Sequence, residues 1–156
     1  MRRWEVGLVA LTAFLFAWGL QAMAADGLTT VKSGSGPKET MNRLEGEVRA
    51  KGMTVFSRID HAAGAADVGL SLRPTELLIF GNARAGTPLM QSAQTIGIDL
   101  PLKVLVWQDA SRDTWLSYND PSWLARRHGI GHEAERATTA ISAALAAVVK
   151  AAASAP

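Results

Sequence analysis

The chain has 156 residues, with 16 Lys and Arg, 14 Asp and Glu, three His and no cysteine. That length holds one domain plus terminal segments, and the missing cysteine excludes thiol nucleophiles, thiolate metal sites and disulfide staples. A formal charge of +2 without a dense basic cluster argues against a nucleic-acid partner, whose phosphates demand a concentrated run of Lys and Arg.

Arg2 and Arg3 precede an apolar run from Val6 to Leu20, and Ala22-Met23-Ala24 then offers small residues two apart. A basic end, a run of this length and an A-x-A site predict a secretory signal peptide over residues 1–24, cut after Ala24. The run is shorter than the ~20 residues that cross a bilayer, so no stable membrane span is expected after cleavage. The protein is expected to be periplasmic or secreted. Cutting there removes Arg2, Arg3 and Glu5, which takes 16 basic and 14 acidic side chains to 14 and 13.

Residues 25–36 read as a short strand, Leu28 to Lys32, and a flexible entry, "SGSGP". The core domain spans residues 37–132. Pro37 suits a first helical turn, Met41, Leu44 and Val48 draw one apolar stripe, and Gly52 ends the helix. "MTVFSRID", 53 to 60, alternates as a strand does, and Asp60 then caps a short helix that Gly69 closes. "TELLIFG", 75 to 81, predicts a strand apolar enough to be covered on both faces.

"FGNARAGTP", 80 to 88, has part of the glycine spacing of a phosphate loop. It lacks the lysine, and Pro88 removes a backbone donor. The loop is predicted to be a helix start, with Thr87 as N-cap, Pro88 as first helical residue and an end near Thr95. Arg84 beside that start is the feature of a weaker anion site. "LKVLVWQ", 102 to 108, and "TWLSY", 114 to 118, form a hairpin across "DASRD". Asp120 and Pro121 open a helix that Gly129 closes, and Trp107, Trp115 and Trp123 read as core packing. Residues 133–156 form an alanine-rich helix striped by Thr138, Ile141, Leu145, Val148 and Val149. The hairpin rules out a purely parallel sheet, so the fold class is α+β with a mainly antiparallel sheet.

Few residues carry chemistry. His61 beside Asp60 at a strand end is a histidine that a carboxylate can tune as base or ligand. Glu76 shares a strand face with Leu78 and Phe80, and needs a partner such as Arg58, Arg73 or Lys103. Tyr118 and Asn119 end the hairpin, where a pocket could form. His128 and His132 have helical ligand spacing, but Gly129 and Gly131 interrupt it. No metal site is assigned with certainty, and no cofactor is named.

The stretches "RIDHAAGA", "RPTELLIFGNARAGTPLMQSAQTIGIDLPLKVLVW" and "WLSYNDPSWLARRHG" closely resemble the family called domain of unknown function 302. The resemblance covers roughly residues 40 to 130. It implies a compact α+β domain like those of the TATA-binding-protein-like fold group, commonly assembled as homodimers, and no established activity. It also marks polar positions at element ends, among them Asn82, Thr87, Asp99 and His128. Two functions are therefore carried forward. One is an exported, non-catalytic module, homodimeric, that binds a small ligand or an exported protein through Asp60, His61, Glu76, Asn82, Arg84, Thr87, Tyr118 and Asn119. The alternative is a metal-dependent or acid/base enzyme using His61 with Asp60 and Glu76.

Overall fold

Apolar stripes on two helices need a sheet face to cover, and the computed structural model, which describes residues 25–154, supplies one from five strands. The order is β1 (Leu28–Lys32), α1 (Pro37–Ala50), β2 (Thr54–Asp60), α2 (His61–Asp67), β3 (Thr75–Gly81), α3 (Ala83–Ser92), β4 (Leu102–Gln108), β5 (Thr114–Asn119), α4 (Pro121–Arg127) and α5 (Glu135–Ala153). Short 3-10 turns over Gln94–Ile98 and His132–Ala134 complete it. The expected signal peptide lies outside the described residues.

The strands form one antiparallel sheet in the order β1-β5-β4-β3-β2. Directly opposed residues share a face, so Glu76, Leu78 and Phe80 stand with Val106, Val104 and Leu102. Helices α1 and α5 cover that face. Met41, Leu44 and Val48 from one and Ile141, Leu145, Val148 and Val149 from the other meet the sheet in the core. Each helix therefore buries the stripe that its spacing predicts. Pro37 sits in the first turn of α1, and Asp60 and Asp120 cap α2 and α4 through the amides of Ala63 and Trp123. Gly52, Gly69 and Gly129, which end these helices, all have φ near +70°, a conformation that costs a glycine little.

Three expectations are corrected. Helix α3 begins one turn earlier than Thr87. Asn82 is its cap, accepting from the Arg84 amide at 2.9 Å, and Thr87 and Pro88 lie inside the helix. Proline there forfeits one helical hydrogen bond, a loss that a capped, packed first turn offsets. The helix also stops at Ser92, short of Thr95. Second, β3 is not covered on both faces: Leu77 and Ile79 share the second face with Leu105, Trp107 and Trp115. All five are only half-buried there. Third, Trp107 and Trp115 are therefore not core residues; they stack on this open face with ring centroids 6.3 Å apart. Trp123 does pack against the core.

Candidate functional site

The strand pairing fixes two ends of the sheet. Gly81 of β3 pairs with Thr54 of β2 at one end, beside the starts of α3 and β4. At the other end Asp60 pairs with Glu76.

The Glu76 end gathers three of the candidate residues. Arg58 projects from β2 and grips the Glu76 carboxylate with two donors, Nε to Oε1 and Nη2 to Oε2 at 3.1 Å. Its Nη1 also donates to Asn42 at 2.8 Å and to Glu45 at 3.2 Å on α1. Donating to the Glu76 carboxylate holds the Arg58 guanidinium further in its charged form. Glu45, held first by Arg49 and then by Arg58, titrates below the ordinary glutamate range. The Asp60 carboxylate is occupied by the Ala63 amide, and His61 is exposed at the first position of α2. Each carboxylate here already has its partner.

The Gly81 end is built differently. A cleft of about 640 Å³ opens between the start of α3, the residues before β4, the end of α1 and one face of α5. Its walls are apolar or small: Met53, Met90, Leu100 and Pro101, with Gly81, Ala83, Ala85 and Gly86, and Ala140, Ile141 and Ala144 from α5. A Cβ on Gly86 would meet Leu100 Cδ1 at 3.6 Å, and one on Gly81 would meet Pro101 Cβ at 3.5 Å and Phe56 Cε2 at 3.7 Å, all ordinary van der Waals contacts.

Phe56 is there because of a β-bulge. Val55 faces Phe80 and Ser57 faces Ile79, so two steps along β2 match one along β3, and Phe56 is the extra residue. A bulge re-aims a side chain, and this one turns a phenyl ring, 59% exposed, to line the cleft. Among the described residues of the lining, Asn82, Arg84 and Lys51 alone have a polar or charged side chain, and none is a carboxylate. Among the described residues Arg84 and Lys51 make no side-chain ion pair.

The remaining candidates lie elsewhere. Thr87 is exposed on α3. Tyr118 lines a second groove of about 450 Å³ against Val149 and Lys150 of α5, while Asn119 is exposed opposite Leu28. The eight residues thus fall into separate places, and only Asn82 and Arg84 share the cleft. Among the described residues no group of three His, Asp or Glu side chains is placed to hold a metal ion.

Sequence reasoning missed the cleft because glycine, alanine and methionine carry no chemical signature. It also missed a pairing at the far end of α4, where His128 Nε2 meets Asp99 Oδ2 at 2.6 Å and Nδ1 meets Thr95 Oγ1 at 3.0 Å. That contact ties the end of α4 to the 3-10 turn before β4.

A family model, Domain of unknown function DUF302, matches residues 29–148. The crystal structure of an uncharacterized conserved protein DUF302 from Bacillus stearothermophilus superposes with a TM-score of 0.73 at 22% identity, over 82% of this chain and 99% of that one. At that identity the likeness speaks to fold alone. Among curated proteins the chain is 48% identical over 124 residues to Fluoride-specific ion channel FluC 1 of Brucella suis biovar 1 (strain 1330). The same identity and length hold for the protein of that name in Brucella abortus biovar 1 (strain 9-941). These matches cover 80% of this chain but 49% and 46% of the relatives, so the chain spans about half the length of the curated proteins it matches.

Proposed function

We propose, since the chain belongs to the DUF302 family, that it is a non-catalytic binding module, exported and homodimeric, which takes a small apolar molecule into the cleft at the Gly81 end of its sheet. The observation that carries this reading is the cleft itself. Its volume lies within the ~300–1,000 Å³ of small-molecule sites, and its walls are apolar with a few polar groups at defined places, as such sites are built. Two methionines in the wall suit it to an irregular apolar guest. The non-catalytic character is supported by the Glu76 end, where the carboxylates Glu76 and Asp60 are held by Arg58 and the Ala63 amide.

The homodimer is supported by the open sheet face. An antiparallel sheet can leave a polar face to water, but an apolar face favours burial against another layer, and Leu77, Ile79, Leu105, Trp107 and Trp115 offer such a surface to a second copy. Val68, Leu70 and Leu72, in the segment before β3, are exposed as well. Export is supported by the Arg2-Arg3 start, the apolar run and the A-x-A site.

The relatives' name, a fluoride-specific ion channel, is not carried to this chain. Among the described residues one helix, His132–Ala153, is long and apolar enough to cross a membrane. It already commits Ile141, Leu145, Val148 and Val149 to the core of the domain.

Native mass spectrometry of the protein purified from its producing cells, followed by titration with an uncharged naphthylamine dye, tests this reading. The expected result is a dimer that takes up the dye. Ala140→Phe, an exposed α5 position on the cleft wall, should abolish uptake and leave the dimer, while Trp107→Lys should give monomers. A protein that takes up no dye, or takes it up equally with Phe at position 140, contradicts the reading.

A further inference from the structure

We infer that the guest of the cleft is a single-chain anionic amphiphile, an alkyl chain ended by a carboxylate, with Lys51 and Arg84 receiving the charged head. The inference rests on the cleft being the binding site and adds which chemistry it selects.

Four observations converge on it. First, every charged residue among the described residues of the lining is cationic, while residues 25–154 as a whole are close to neutral. Second, those two cations make no ion pair among the described residues, whereas Arg58 at the opposite end of the sheet is fully engaged. A cation beside apolar surface and without a carboxylate is a standing attraction for an anion.

Third, Arg84 and Lys51 come from separate parts of the chain, the first turn of α3 and the residue after α1, and both line the same cleft. The positive end of the α3 dipole lies on the same side of the cleft and adds to the attraction. Fourth, the rest of the lining offers an alkyl chain methionine, phenylalanine, leucine and alanine, and Asn82 spends its side-chain oxygen on capping α3. The volume suits one small ligand rather than a two-chain lipid. Cations without carboxylates among otherwise apolar walls are the complement of a fatty-acid-like molecule.

Isothermal titration calorimetry on the full chain, with hexanoate, octanoate, decanoate and the uncharged octanol, tests the assignment. Affinity should rise roughly fourfold for each added methylene, the gain expected from burying it. Octanoate should bind about tenfold tighter than octanol, and added salt should erode that ratio. Lys51→Gln with Arg84→Gln should bring the ratio close to one. Equal binding of octanoate and octanol by the unaltered protein, or a preference that survives the double substitution, overturns the assignment. If octanol still binds and Ala140→Phe still blocks it, the cleft remains a binding site and only its proposed selectivity is lost. If neither compound binds, both readings fall. If Ala140→Phe instead changes the oligomeric mass with no amphiphile uptake in either form, the cleft is the seat of a second copy, and the assignment is overturned.

Discussion

The two ends of the sheet carry similar side chains and use them in opposite ways. At the Glu76 end Arg58 bridges β2, β3 and α1 through Glu76, Glu45 and Asn42. At the Gly81 end Arg84 and Lys51 stand beside an apolar cleft with no carboxylate among the described residues of its lining. A charge whose partners are all present fixes the register of the elements that supply them. A charge with no ion pair among the described residues is the one placed to meet a ligand. Identity and exposure do not separate the two arginines; their partners do.

The sharpest way to break this comparison is to remove both charges. Arg58→Met leaves Glu76 and Glu45 without their shared donor and should cost about 2 kcal/mol of stability. Arg84→Gln should stay within about 0.5 kcal/mol of the unaltered protein, as surface substitutions do. Urea unfolding followed by tryptophan emission reads both, and equal losses would erase the distinction.

Capping gives a smaller contrast. Asn82→Ala removes the acceptor for the Arg84 amide on a helix that buries Leu89, and should cost about 1 kcal/mol. Asp60→Ala removes the equivalent bond on α2, which buries no residue, so local fraying absorbs the loss and the global cost should be under about 0.5 kcal/mol. Thermal unfolding of the two variants side by side checks the order.

The smallest effects are those of pH, and the two ends should respond on opposite sides of neutrality. Glu45 has its folded pKa depressed by bonds from Arg49 and Arg58. Its contribution is therefore present above the unfolded pKa and lost as pH falls through the lower folded value. Arg58→Met should shrink that acid loss. Lys103, at the Gly81 end, has its folded pKa lowered by burial, with Asp99 opposing, and its ammonium donates to the carbonyls of Asp99 and Pro101. Between its folded and unfolded pKa the unfolded chain binds the extra proton, so stability rises with pH across that alkaline window. Lys103→Met should flatten the alkaline rise and leave the acid limb unchanged in urea midpoints measured across the pH range.

Much of the fold was legible because local signals agreed. The Met41, Leu44 and Val48 stripe, Asp60 and Asp120 as helix caps, and the hairpin across "DASRD" each rest on a clear local pattern, and each stands in the structure. The salt bridge foreseen for Glu76 is there too, with Arg58 among the three partners considered. The start of α3 went astray because two cap signals compete within six residues. Thr87-Pro88 is the stronger local pattern, and Asn82 wins by joining the helix directly to β3. The open face of β3 could not be read, since "TELLIFG" looks the same whether its second face meets a helix of this chain or another surface.

The cleft was the least legible feature. It is made where small residues let five elements stand apart, and a void leaves no motif. Lys51, Phe56, Arg84 and Ala140 are distant in sequence, and only the register of β2 against β3, with its bulge at Phe56, brings them together.

Methyl-labelled methionine offers the most direct test of the central claim that this cleft is a binding site. Met53 and Met90 line it, while Met41 is sealed in the core and serves as an internal reference. On adding decanoate, the methyl resonances of Met53 and Met90 should shift in a saturable way and that of Met41 should stay in place. Unmoved Met53 and Met90 signals at concentrations where decanoate is bound would put the ligand elsewhere and contradict the account.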